Sequence, residues 1–199
     1  MKTCLILDYG VGNVASIRTF LRKNGYTVTL GNDPLDVRIA DLLILPGVGS
    51  FITASENMEK SGVMKEIQAR HDANKPILGI CLGFQLLTNS SSESPTSGGL
   101  GIFNGSTIRL KEFSQIGWGK LNSSKSNIPF LNDYFYFNHS FGTYNTVGTM
   151  INATSGASGY LALVVSAKTV GVQFHPERSQ KSGNKFLAWL EKDIWKFDD

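Results

Sequence analysis

Short runs of consecutive apolar residues, separated by stretches with helical spacing, organise the first half of the chain. Leu5-Ile6-Leu7 ends at Tyr9-Gly10, as a strand covered on both faces does. Asn13 is placed to cap a helix running to about Lys23, with Val14, Ile17, Phe20 and Leu21 on one face and Gly25 as its stop. Thr27 to Leu30 is short and partly β-branched, and leads into the turn Gly31-Asn32-Asp33-Pro34. Leu42-Leu43-Ile44-Leu45 reads as another buried strand, halted by Pro46-Gly47. Helical spacing resumes from about Ser55 to Asn74, broken near Gly62, and Ile77-Leu78-Gly79-Ile80 is again a strand. Strands alternating with helical lengths predict right-handed βαβ units, hence an α/β fold with a mostly parallel central sheet and helices on both faces.

The period changes after Leu87. Asn89 to Gly99 is rich in Ser, Gly and Pro and is expected to be a surface loop. Strand patterns follow at Thr107 to Leu110, Trp118 to Leu121, Tyr134 to Asn138, Leu161 to Ala167 and Val170 to Phe174. An amphipathic helix is expected from about Lys181 to Trp195. With no repeat or linker in view, residues 1–199 are expected to form one domain, an α/β core with an antiparallel β extension.

Composition narrows the function classes. The chain has 199 residues, 41% hydrophobic and 18% charged, so a core can form without disulfides or metals. The net charge of +3 is scattered, with no Lys/Arg run and no basic-aromatic alternation, so no nucleic-acid partner is expected. The N-terminus turns acidic at Asp8, too soon for a signal peptide, and no apolar run approaches a membrane span. A soluble cytoplasmic protein is expected. The two cysteines, Cys4 and Cys81, form no disulfide framework or metal-ligand spacing; Cys4, within an apolar run, reads as a small buried hydrophobe.

Chemistry enters with Gly79-Ile80-Cys81-Leu82-Gly83, where an apolar strand runs into a nucleophilic residue and then a helix-forming stretch. This is a nucleophile elbow with Cys in place of Ser; small residues two before and two after allow a sharp turn and close backbone approach. The turn lifts Cys81 to the carboxyl end of the sheet and to a helix N-terminus, which favours its thiolate. The plainer reading is a buried Cys at a glycine-containing strand end. A second segment, Gly171-Val172-Gln173-Phe174-His175-Pro176-Glu177, sets His175 and Glu177 two apart. On an extended strand end they share a face, so Glu177 can orient the imidazole. A surface His-Pro-Glu turn is the plainer alternative. Leu45-Pro46-Gly47-Val48-Gly49-Ser50 also follows a buried strand, and its glycines let backbone N–H groups face a developing oxyanion, with the N–H of Leu82 as a second donor. Taken alone, it is an ordinary Pro-Gly turn.

With those segments in order, the chain resembles the class I (triad) glutamine amidotransferases, and within them the glutaminase subunits of imidazole glycerol phosphate synthases. The resemblance extends over nearly the whole chain, through Asp8-Tyr9-Gly10-Val11-Gly12-Asn13, Leu45 to Gly49, Ile80 to Leu87, Gly117-Trp118, His139-Ser140-Phe141 and Phe174 to Ser179. It implies a flavodoxin-like core and a Cys81-His175-Glu177 triad that hydrolyses glutamine through a thioester. It implies oxyanion donors at Val48, Gly49 and Leu82, and glutamine contacts at Gly47, Gln85, Ser140 and Phe141. It also implies a face formed by Gly12, Asn13, Trp118 and Tyr136 for a (β/α)₈-barrel cyclase partner that receives the ammonia. No cofactor or metal is expected. Phe113-Ser114-Gln115-Ile116-Gly117-Trp118-Gly119 departs from the family's usual Met-Gly-Trp-Asn context, and Asn138 precedes His139 where an apolar residue is usual; both departures spare the triad. A paralogous subunit serving amidation of a surface sugar is the alternative within the family. Outside it stand a dinucleotide-binding enzyme, from Gly10-Val11-Gly12-Asn13-Val14-Ala15 with Asp33 downstream, a cysteine peptidase, and a non-catalytic binding subunit.

Overall fold

The structure is a computed structural model that describes residues 2–10, 14–47, 49–111, 114–122, 128–147, 151–154 and 159–197. The apolar runs form β1 (Thr3–Leu7), β2 (Thr27–Gly31), β3 (Leu42–Leu45) and β4 (Ile77–Ile80), joined by α1 (Ala15–Lys23), α2 (Pro34–Ile39), α3 (Phe51–Ser61) and α4 (Val63–Asp72). After β4 come α5 (Leu82–Leu86), β5 (Thr88–Ser91), β6 (Ser94–Gly98), β7 (Phe103–Arg109), β8 (Gln115–Lys120) and β9 (Tyr134–His139). Then follow β10 (Phe141–Val147), β11 (Ile151–Thr154), β12 (Leu161–Ser166), β13 (Thr169–Val172) and α6 (Gln180–Trp189), which continues as a π-helical turn over Leu190–Trp195.

Eleven strands form one sheet in the order β2-β1-β3-β4-β13-β12-β10-β7-β5-β6, with β11 also paired to β12. The first five run parallel, and β12 begins the antiparallel extension. β8 and β9 form a separate antiparallel hairpin. The parallel strands are apolar on both faces because both are covered. Cys4 and Ile6 join a core with Phe186 and Trp189 of α6, whereas Leu5 and Leu7 join another with Phe51, Met58 and Ile67 of α3 and α4. Among the described residues no helix is long and apolar enough to cross a membrane.

Several elements depart from the sequence expectation. The supposed turn at Asp33-Pro34 opens α2, because the Asp33 carboxylate accepts from the N–H of Leu35 at 2.7 Å and Pro34 takes the first helical position. Asp33 is thereby a helix cap, which removes the acidic residue on which the dinucleotide reading relied. α1 starts at Ala15 after Val14, and the expected cap Asn13 lies outside the described residues. The predicted loop from Asn89 to Gly99 contains β5 and β6; β5 pairs parallel with β7, Ser91 opposite Thr107, and turns into β6. Its buried hydroxyls are bonded: Thr88 Oγ1 donates to the Gln85 carbonyl at 2.7 Å, so a polar stretch forms a strand without orphaned groups. β10 and β11 were not anticipated, and β13 stops at Val172 rather than Phe174.

Candidate active site

Cys81 follows β4 directly, with φ 50° and ψ −103°. A left-handed φ at a non-glycine residue costs about 1–3 kcal/mol and persists only where the surroundings impose it. Here the Cys81 N–H donates to the Val172 carbonyl at 2.7 Å, and its carbonyl accepts from the N–H of Gln85 at 3.1 Å. The flanking glycines serve close approach rather than the turn angle. A Cβ on Gly79 would lie 2.7 Å from the Gly83 carbonyl oxygen, and one on Gly83 would lie 2.0 Å from that of Leu45. Cys81 stands at the N-cap of α5, 5% exposed. Cys4, by contrast, is core, where burial pushes its thiol pKa up.

His175 lies just beyond β13, tied to the hairpin: its N–H donates to the Tyr136 carbonyl at 2.8 Å. Ser179 locks this junction, donating through Oγ to the His175 carbonyl at 2.7 Å and accepting from the Tyr136 N–H at 3.0 Å. Glu177 does not continue a strand, as the two-residue spacing predicted. Pro176 opens a 3₁₀ turn over Pro176–Arg178, and that turn carries the carboxylate back to the ring. His175 Nδ1 stands 2.8 Å from Glu177 Oε1, with both side chains buried. A carboxylate only accepts, so Nδ1 carries the proton and Nε2 is the nitrogen left for chemistry; it has no hydrogen-bond partner among the described residues. Burial pushes the imidazole pKa down, but interactions with Cys81 and Glu177 outweigh it and hold the pKa at about 10.

In front of Cys81 lies a cavity of about 350 Å³, within the range of small-ligand pockets. Of the expected residues, Gly47, Gly49, Leu82, Gln85, Ser140 and Phe141 all line it. Gly47 lies so close to the elbow that a Cβ there would stand 2.6 Å from the Ile80 carbonyl oxygen. Leu82 opens α5, so its N–H has no carbonyl within the helix to bond. Val48, Gly12 and Asn13 lie outside the described residues. Trp118 and Tyr136 pair across the hairpin; Trp118 is half exposed, whereas Tyr136 is partly covered by the Arg178 guanidinium, 3.8 Å from its ring centre.

The cavity adds Glu93, Ser114, Ile116 and Asn138, none of which had been assigned a role on the site. Glu93 was hidden by the polar composition around it, and its Oε1 accepts from the N–H of Phe51 at 3.3 Å. Gln173 was also missed, although an amide between Val172 and Phe174 in an otherwise apolar strand end was a visible signal. A second groove, about 420 Å³ between α1 and α6, is lined by Glu177 but by neither Cys81 nor His175.

His139 is a structural element of the cavity wall. Its Nδ1 lies 2.7 Å from the Phe141 carbonyl and so donates to it. Burial lowers its pKa from 6.5 to about 4, against the Phe141 hydrogen bond and with the nearby His175 adding to the fall. Because the folded-state pKa is depressed, the unfolded chain binds the extra proton between these values. The contribution is therefore present above about pH 6.5 and lost as pH falls towards 4. Melting curves from pH 7.5 to 4.5 should show the parent losing more stability than His139→Gln, which gains no charge.

A cysteine sulfur on a strained elbow, a buried imidazole–carboxylate pair near it and the first N–H of α5 beside it form a site suited to thiol-dependent acyl transfer. The chain belongs to the family of class I glutamine amidotransferases, whose profile matches residues 5–194. It is 38% identical to the imidazole glycerol phosphate synthase subunit HisH of Lactococcus lactis, over 96% of this chain and 100% of that one. The HisH subunit of Symbiobacterium thermophilum is 35% identical, over 94% of this chain and 92% of its own. Among solved structures, a glutamine amidotransferase superposes with a TM-score of 0.77 at 17% identity, covering 94% and 97% of the two chains. PurLQS from Thermotoga maritima gives 0.77 at 20% identity, covering 96% and 98%, and these two likenesses support the fold alone. The chain is a glutamine amidotransferase with a flavodoxin-like, mostly parallel sheet.

Proposed function

We propose that this chain is a single-domain cytoplasmic glutaminase subunit that releases ammonia from glutamine through a Cys81 thioester and passes it to a (β/α)₈-barrel cyclase, in imidazole glycerol phosphate synthesis. The observation that carries the reading is Cys81, on its elbow at the wall of a cavity of about 350 Å³, interacting with the His175 imidazole that Glu177 holds. The Cys81 thiolate attacks the side-chain amide carbon, and N–H groups of Leu82 and the Val48-Gly49 turn receive the oxyanion. As the intermediate collapses the C–N bond breaks, and His175 Nε2 delivers its proton to the departing nitrogen. The same nitrogen then takes a proton from water, which attacks the thioester; the thiolate leaves and glutamate is released. Gln85 Oε1 accepts from the substrate amide, the Ser140-Phe141 backbone holds its carboxylate, and the Glu93 carboxylate complements its ammonium group.

Free ammonia is mostly ammonium at neutral pH and no longer a nucleophile, so release must be coupled to a sheltered acceptor. Ile116, Trp118 and Tyr134 expose 67%, 50% and 54% of their surface on the hairpin beside the cavity, an apolar face suited to docking a partner. The test is glutamate release by the purified chain alone and with the barrel cyclase of its own organism, with and without the acceptor. The chain alone is expected to be nearly idle, rising about 100-fold or more in the loaded complex if docking turns the Val48-Gly49 amides towards the oxyanion. High unstimulated activity would sink the coupling. Stimulation only by a synthase that amidates a surface sugar would keep the glutaminase and reject the pathway.

A further inference from the structure

Between the nucleophile and the residue expected to hold substrate lies a buried amide that the mechanism above leaves unused. Gln173 is fully buried, and its Nε2 donates to Cys81 Sγ at 3.4 Å. Its Oε1 accepts from Gln85 Nε2 at 3.3 Å, and Gln85 Nε2 also donates to the Phe141 carbonyl at 3.2 Å. The direction of this chain follows from one atom. A backbone carbonyl can only accept, so the nitrogen of Gln85 must face Phe141; its second hydrogen then meets an oxygen of Gln173, which leaves the nitrogen of Gln173 towards sulfur. With its nitrogen so engaged, Gln85 keeps Oε1 for a ligand in the cavity it lines.

We infer that Gln173 is a positioning residue whose side-chain N–H favours negative charge on the Cys81 sulfur and that links the sulfur to the occupancy of the glutamine pocket through Gln85. The inference rests on Cys81 being the nucleophile. A donor to sulfur interacts more strongly with thiolate than with thiol or thioester. It therefore favours the reactive form before attack and the departing sulfur when water opens the thioester. It lies opposite the cavity's oxyanion donors in role: they stabilise oxygen charge, Gln173 stabilises sulfur charge. The other titratable groups around the sulfur are His175, Tyr9, whose phenol donates to the Pro46 carbonyl, and His139 and Glu93 on the cavity wall. None of them is substituted in the experiment that follows, so the difference between parent and variant at each pH reports Gln173.

The rate of Cys81 alkylation by iodoacetamide is measured against pH in the full chain carrying Gln173→Met or Gln173→Ala. The pH midpoint should rise by about one unit in both, with alkylation at neutral pH about tenfold slower, since a hydrogen bond to a charged acceptor is lost. Unchanged midpoints alongside lower glutaminase turnover would assign Gln173 to packing and overturn the inference. Should neither variant fold, the unmutated chain provides the test: the Gln173 side-chain amide resonance of ¹⁵N-labelled protein should titrate with the alkylation midpoint and stop doing so in Cys81→Ser. A resonance indifferent to that midpoint would equally overturn it. Alkylation reads the sulfur without glutamine, so failure of the glutaminase reading shows separately, as absent glutamate release by the parent with its partner.

Discussion

Cys81→Ala should abolish glutamate release in the presence of partner and acceptor, lowering turnover by at least about 10⁴-fold, as loss of a covalent nucleophile does elsewhere. No other thiol can substitute. Cys4 is 1% exposed within the core, and burial keeps it in the neutral form. Labelling by an electrophilic glutamine analogue such as a diazo-ketone should disappear as well. The fold should survive, because Cys81 is at the cavity surface of an elbow held by backbone bonds to Val172 and from Gln85, which alanine retains. A left-handed alanine is no more strained there than the cysteine. Steady-state glutaminase rate with saturating partner, together with mass spectrometry of the labelled chain, reads both outcomes. Retention of even a few per cent of turnover would exclude the thioester route.

What the sequence made legible here was local. A β-strand, a turn and a helix between Ile77 and Leu86 identify the elbow, because Ile77 to Ile80 must be buried and Gly79 and Gly83 have no side chains to pack. The His175–Glu177 pairing was legible as a pair but not as a shape. Its spacing suited a strand, yet Pro176 fixes a backbone that starts a 3₁₀ turn, and the turn achieves the same meeting. What failed was long-range. β5 is built from Thr88-Asn89-Ser90-Ser91, with no β-branched run to announce it; only its partner β7 and the satisfaction of its hydroxyls make it a strand. Glu93 reaches the cavity because that pairing places it there. Gln173 is similar: its polarity was visible, but its two partners lie 92 and 88 residues away along the chain, beyond any periodicity.

Gly83→Ala should be the most destabilising of the small substitutions at the site, by about 3 kcal/mol or more, which in a chain of this size lowers the melting temperature by roughly 6–12 °C. Gly83 is not needed for its backbone angle, since it sits within α5. It is needed because the helix lies against the end of β3. The added Cβ would meet the Leu45 carbonyl oxygen at 2.0 Å, its carbonyl carbon at 2.6 Å and its Cβ at 2.8 Å. None of these is a flexible side-chain tip. Leu45 is fully buried and paired with Gly79 of β4, and a Cβ on Gly79 would in turn stand 2.7 Å from the Gly83 carbonyl oxygen. Relief therefore requires α5 to move away from β3, and Cys81 is the N-cap of α5. The sulfur would shift from Gln173 and His175 together, so turnover should fall as well as stability. Gly62→Ala is the informative control: its φ is +78° but nothing lies within 4 Å of the added atom, so only the left-handed backbone is penalised, at about 1–2 kcal/mol. Urea and thermal unfolding of the two variants should rank Gly83 well above Gly62. A Gly83→Ala protein melting within 2 °C of its parent would mean that the elbow does not rest on β3 as described, and the packing that holds Cys81 in its strained conformation would need another source.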